Sequence, residues 1–159
     1  MIRRGSLSPE QALQKARHYC GYQERCHQEV KEKLYSFGLR RQDVDMAIAT
    51  LIEENYLNEE RFAIQFAGGH FRMKQWGRIK IRYELKQRQV SEYNIKIAIA
   101  TIPEEDYAQT LTRLADRKME TLQTGSNLFV RKKKLHDYLL NRGYEQDRIT
   151  AELSRFSGI

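Results

Sequence analysis

Residues 30–51 read VKEKLYSFGLRRQDVDMAIATL, and the pattern returns as IRYELKQRQVSEYNIKIAIATI at 81–102 and LHDYLLNRGYEQDRITAEL at 135–153. Superposed, Leu34, Leu85 and Leu139 coincide, followed by Gly38, Gln89 and Gly143, then Leu39, Val90 and Tyr144. Val44, Ile95 and Ile149 come next, and Ile48, Ile99 and Leu153 close the register. Leu34 to Leu85 is 51 residues and Leu85 to Leu139 is 54, so the chain holds three copies of one unit. Self-similarity at a near-constant period is the signature of a repeat architecture.

Each copy reads as helix, tight turn, helix. Gly38 and Gly143 stand where a helix ends on a left-handed residue, a conformation glycine reaches without a Cβ clash. Gln89 occupies the same position in the middle copy, so that turn is expected to be strained or differently shaped. After the turn, Val44 and Ile48 lie one helical turn apart on a single face, the spacing of a buried stripe.

A further helix precedes each pair. SPEQALQKARHY (8–19) offers Ser8 as a cap with Pro9 and Glu10 in the first turn. NEERFAIQFAGGHF (58–71) begins at Asn58, and PEEDYAQTLTRLADRKMETL (103–122) opens the third copy. Ala12 and Ala16, Phe62 and Phe66, and Tyr107 and Leu111 take equivalent i, i+4 core positions. The expected fold is all-α: three tandem three-helix, helix-turn-helix-like repeats over 1–55, 56–102 and 103–159, elongated because repeats contact mainly their neighbours. The glycine pair 68–69 and QTGSN (123–127) are the expected flexible points.

Composition narrows the function. Lys and Arg number 28 against 21 Asp and Glu, a formal charge of +7, so an anionic partner is expected. No apolar run approaches 18 residues and MIRRGSLSPEQ is no leader, which predicts a cytoplasmic protein without a membrane span. Cys20 and Cys26 are too few for a disulfide framework and are expected as thiols. His18, Cys20, Cys26 and His27 are close in sequence, but the five-residue gap between the cysteines is wrong for structural zinc. No nucleotide loop, HExxH or GxSxG occurs, so neither catalytic residues, metal nor cofactor is expected.

The stretch YLNEERFAIQFAGGHFRMKQWGRIKIRYELKQR (56–88) passes from an acidic turn to a base-rich half. From Arg72 to Arg88, seven bases (Arg72, Lys74, Arg78, Lys80, Arg82, Lys86, Arg88) face one acid, Glu84. Arg78, Arg82 and Lys86 fall at i, i+4 and i+8, one stripe on a helix. Like charges at that spacing repel by about 0.2–0.5 kcal/mol per pair, which favours an anionic partner over a merely solvated face. Arg131, Lys132, Lys133 and Lys134 form a second cluster at the start of a helix, where the macrodipole disfavours cations. That run reads equally as a phosphate or carboxylate contact and as a wet face. Trp76, beside Gly77, is kept as a possible stacking contact, although burial is the commoner fate of a tryptophan.

The runs YLNEERFAIQF and WGRIKIRYEL are similar to the signature of the RecX regulatory proteins, modulators of the bacterial RecA recombinase. An acidic turn, an R-F-A triplet, an aromatic one turn later and G-x-x-x-I/L-x-x-E-L appear here as Asn58, Glu59, Glu60, Arg61-Phe62-Ala63, Phe66, Gly77, Ile81 and Glu84-Leu85. Arg142, Gly143 and Tyr144 match the family's R-G-Y/F turn, and RCHQEV resembles R-S-x-x-E-L with Cys26 for serine. The resemblance covers residues 7–156. It implies a non-enzymatic inhibitor that lies in the groove of the RecA–DNA filament and lowers its ATPase and strand exchange. The two basic clusters are then expected to face that groove, with single- or double-stranded DNA touched without sequence preference.

Two other classes compete: a general DNA- or RNA-binding helical module, and a scaffold for an unrelated acidic protein. Sequence-specific reading of the major groove is disfavoured. RQDVDMAIATLIEEN carries four acids after its opening arginine, and SEYNIKIAIAT offers few base-edge donors besides Asn94 and Lys96. With no long heptad seam, a monomer is expected.

Overall fold

The computed structural model describes residues 5–122 and 127–156. Among them lie nine helices and no strand: α1 Pro9–Tyr22, α2 His27–Ser36, α3 Arg41–Glu53, α4 Glu59–Lys74, α5 Arg78–Gln87, α6 Glu92–Ala100, α7 Glu104–Thr121, α8 Leu128–Asn141 and α9 Gln146–Leu153. They form three successive three-helix repeats. Most of the QTGSN segment, 123–126, lies outside the described residues. Gly68 and Gly69, expected as a flexible point, are instead interior to α4. A Cβ on Gly68 would stand 2.8 Å from Nη1 of Arg72, so this glycine makes room for a side chain one turn on.

The repeat register is a burial register. Leu34, Leu85 and Leu139 are sealed from solvent, as are Val44, Ile95, Ile149 and Tyr144, with Leu39 and Val90 close behind. The last position is weaker: Ile48 is buried, whereas Ile99 and Leu153 are half-buried. Gly38 and Gly143 have φ of +88° and +95°, as a left-handed helix terminator requires. Gln89 has φ of +61°, so the middle turn keeps the shape of the others and carries the strain of a Cβ in that region.

The chain divides into two compact units, Met1–Gln65 with Leu85–Ile95, and Phe66–Glu84 with Lys96–Ile159. In the first unit, α1, α2 and α3 pack on one another around Ala12, Ala16, Val30, Leu34, Val44 and Leu51. Ser8 caps α1 through a reciprocal capping box with Gln11. Gly38 also admits Ser6: a Cβ there would lie 2.5 Å from the Ser6 hydroxyl oxygen. Arg61, the arginine of the R-F-A triplet, fastens the turn into α4. Its guanidinium donates to Glu24 at 2.5 Å, to the Asn55 side chain at 3.2 Å and to the Asn55 and Tyr56 carbonyls at 3.1 and 3.3 Å. Asn58 caps the same helix, its Oδ1 accepting from the Arg61 amide at 2.9 Å.

In the second unit, α7 packs on α8 and α9. Tyr107, Leu111, Leu135, Leu139, Tyr144 and Ile149 are buried there. Phe71, Tyr107 and Tyr144 form a ring series, with centroids 5.8 Å apart for the first pair and 5.3 Å for the second. These three aromatic rings are thus core rather than surface.

Candidate functional site

The Gln75–Trp76–Gly77 segment links α4 to α5, and it and the start of α5 are docked, backbone to backbone, against the turn between α8 and α9. Gln75 leaves α4 with φ of +58°, which reverses the chain. The Gly77 amide then donates to the Arg142 carbonyl at 2.8 Å and the Ile79 amide to the Gly143 carbonyl at 2.9 Å. Arg142 returns a bond to the Lys74 carbonyl at 2.6 Å, and the Tyr144 hydroxyl donates to the Gln75 carbonyl at 2.9 Å. The approach is too close for side chains at either glycine.

Arg78 turns inward from this junction. Its guanidinium binds Glu104 at 2.6 Å and Glu145 at 3.0 Å and lies 3.8 Å over the Tyr107 ring. The Tyr107 hydroxyl accepts from the Arg78 amide at 3.0 Å and donates to Glu145, while Arg148 bonds the far oxygen of Glu104. Burial and the Glu145 hydrogen bond push the Tyr107 phenol well above its ordinary range, so it stays protonated. Hydrogen bonds from Arg78 and then Arg148 hold the Glu104 carboxyl below the usual carboxylate range. Countercharge therefore accounts for the arginine that opens the stripe, without any external anion.

The rest of the stripe divides by environment. On α5, Ile81 and Leu85 are buried, Arg78, Lys80 and Arg82 are half-buried, and the outward positions are Ile79, Tyr83, Lys86 and Gln87. Ile79 and Tyr83 are 50% and 58% exposed at i, i+4, so the wet face of α5 begins apolar rather than cationic. Within the first unit Lys86 pairs with Glu92 at 3.6 Å, and Arg88 is half-buried.

Around Trp76 the basic residues gather more openly. The indole is half-buried, stacked on His70 at 4.5 Å, with Nζ of Lys80 at 4.8 Å and of Lys74 at 5.2 Å from its ring. It is thus neither a core side chain nor a bare one, but a ring edged by two ammonium groups. Arg72 is exposed at the end of α4.

In the second cluster Lys133 and Lys134 are exposed and Arg131 and Lys132 half-buried. Lys133 sits 3.9 Å from Asp137, an exposed i, i+4 pair of small worth. Asn127 caps this helix by accepting from the Val130 amide at 2.9 Å. Phe129, beside the cluster, is 80% exposed, and Met73, beside Arg72, is 84% exposed. Sequence reasoning passed over Phe129, Met73, Ile79 and Tyr83. Only the buried phase of Ile81 and Leu85, which sends 79 and 83 outward, carried a signal. Among the described residues no three His, Cys, Asp or Glu side chains come together as metal ligands, and no helix is long and apolar enough to cross a membrane.

Family models for the second and third three-helix domains of RecX match residues 58–99 and 104–151. A regulatory protein RecX of Prosthecochloris aestuarii is 33% identical over 142 residues, which cover 89% of this chain and 91% of that one. The chain belongs to the RecX family. A RecX of Clostridium perfringens is 32% identical over 120 residues, and there the chain spans 56% of the relative's length. Crystal structures share the fold: RecX from Lactobacillus salivarius has a TM-score of 0.83 at 19% identity, covering 92% of this chain and 95% of that one. In RecX terms, the signature residues of this chain are scaffold. Arg61 fastens a turn, Gly77 and Gly143 form the docked junction, and Leu85 and Tyr144 are core.

Proposed function

We propose that this chain is a non-enzymatic negative regulator of the RecA recombinase, seated in the groove of the RecA–DNA filament and lowering its ATPase and strand exchange. Membership in the RecX family carries the reading, through a relative matched over nine-tenths of both chains. Cations at least partly open to solvent support it: Lys74 and Lys80 about Trp76, Arg72 at the end of α4, and Lys133 and Lys134 on α8. Arg78 contributes by holding the fold. Lys86, Arg88, Arg82, Arg131 and Lys132 are the further proposed contacts. Several modest contacts gain affinity through effective concentration, so no single strong one is needed. The protein acts as a cytoplasmic monomer, in three modules over 1–55, 56–102 and 103–159.

The test is single-stranded-DNA-dependent ATP hydrolysis by the host recombinase, titrated with the folded chain below equimolar ratio. Inhibition at substoichiometric amounts is expected. No effect at excess overturns the reading. A second reading, a nucleic-acid module acting alone, is favoured by the Trp76 ring edged with lysines, which has the parts of a stacking platform. Tight, salt-sensitive binding to naked DNA, with recombinase activity untouched, would select it.

A further inference from the structure

The first unit carries an aromatic groove of its own, on helices that hold none of the basic clusters described above. It has a volume of about 580 Å³, is open to solvent, and runs between α1 and α2. Lys15, Tyr19 and Tyr22 line it from α1, and Lys33 and Phe37 from α2 and its end, with Arg25 from the connecting turn. None of the lining residues is acidic. Glu29, 3.8 Å from the Arg25 guanidinium, is not part of the lining.

The floor is fixed in place. Arg25 lies 3.8 Å over the Tyr19 ring and donates to the Tyr19 carbonyl at 3.2 Å. Lys33 reaches over Tyr19 and Phe37, 5.3 and 5.8 Å from their centroids. Tyr22 stands at the rim, 79% exposed. Such exposure of a large aromatic forfeits its apolar burial unless the ring has another use. The volume falls within the range of pockets that hold small organic groups, roughly 300–1,000 Å³.

We propose that this groove holds a single-stranded nucleic-acid segment, one base stacked on Tyr22 and the adjoining phosphates set on Lys15 and Lys33. A flat ring at the rim takes any base, because every base has a π-face, and flanking ammonium groups take the backbone. A duplex does not fit this chemistry, since its bases are already stacked and present no free face. The lining, basic and without a carboxylate, selects against a cationic partner. The inference does not rest on filament regulation; the site acts with no recombinase present.

The experiment uses the full chain with a fluorescent oligothymidylate and with a bromodeoxyuridine-substituted oligonucleotide of equal length. Photo-cross-links mapped by mass spectrometry are expected on the peptide carrying Tyr19 and Tyr22. Lys15→Glu with Lys33→Glu is expected to weaken oligothymidylate binding at least tenfold. The double variant should also flatten the slope of log affinity against log salt by about 1.4, because each neutralised phosphate of a single strand accounts for about 0.7. Tyr22→Ala is expected to weaken binding severalfold at unchanged salt slope, because stacking releases no counterion. Cross-links confined to other helices, or an unchanged slope in the folded double variant, overturn the proposal. So does displacement of the oligonucleotide by polyglutamate, by duplex or by thymidine monophosphate at equal residue concentration, since each names a different occupant.

Discussion

Gly77 and Gly143 meet with no room for a side chain on either: a Cβ built on Gly77 would lie 2.3 Å from the Gly143 carbonyl oxygen, and one on Gly143 the same distance from Cβ of Lys80. The obstacle at Gly77 is backbone, which cannot swing aside as a long side chain can. Gly77→Ala should therefore cost about 1–3 kcal/mol, the usual range for overpacking a fitted contact. Gly143→Ala should cost more, because its φ of +95° adds the left-handed penalty of about 1–2 kcal/mol. Urea unfolding checks both, and a midpoint unchanged by Gly77→Ala would show that the junction gives way.

Charge reversal separates the two kinds of base. Arg78→Glu would set a third carboxylate against Glu104 and Glu145, so a fall in melting temperature of at least several degrees is expected. Lys74→Glu with Lys80→Glu should leave melting within a degree or two and weaken inhibition of the recombinase. Thermal melts run beside the ATPase titration distinguish them. Weaker inhibition by the first variant would then reflect a damaged fold, and weaker inhibition by the second would mark the working surface.

Gln89 invites a stabilising change. It holds φ of +61° where the other two repeats carry glycine. Gln89→Gly should relieve the left-handed strain of about 1–2 kcal/mol and return part of it as unfolded-chain entropy, a net gain of about 0.5–1 kcal/mol. Denaturant midpoints decide the sign. A drop in stability would mean that the glutamine side chain contributes more than its backbone costs.

His27 supplies a pH dependence. Burial of the ring, whose Nε2 has no hydrogen-bond partner among the described residues, lowers its pKa below the ordinary 6.5, with Glu59 opposing and Lys31 adding slightly. A depressed histidine binds protons better when unfolded, so its contribution is present above pH 6.5 and fades as pH falls below that value. The slope is at most about 1.4 kcal/mol per pH unit while the unfolded group alone is protonated. His27→Gln should flatten the stability profile below pH 6.5 relative to the parent. Parallel profiles for the two proteins would refute the assignment.

How much of this was legible in the sequence varies with the range of the interaction. Leu34, Leu85 and Leu139 announced the repeat because helix burial is periodic, and Gly38 and Gly143 announced the turns because the left-handed region has few tenants. The inward course of Arg78 was not legible. Its partners Glu104 and Glu145 lie 26 and 67 residues away, and an i, i+4 pattern knows nothing of them. Gly77 likewise entered only as the glycine of the family signature, while its reason is a turn from another repeat. The sequence reading weighed local charge alone for that reason, and the exposed faces of Ile79 and Tyr83 emerged only when α5 had a direction.

Cys26 closes the turn before α2 with its Sγ 3.2 Å from Glu29 and almost no exposure. Burial, chiefly, pushes this thiol up to about 11, from an ordinary 9.0. At neutral pH it is therefore a poor nucleophile, and disulfide reagents must await a local opening around the turn before α2. The rate at which an alkylating probe consumes Cys26 is thus a clock for the breathing of the first unit, built into the chain without a label.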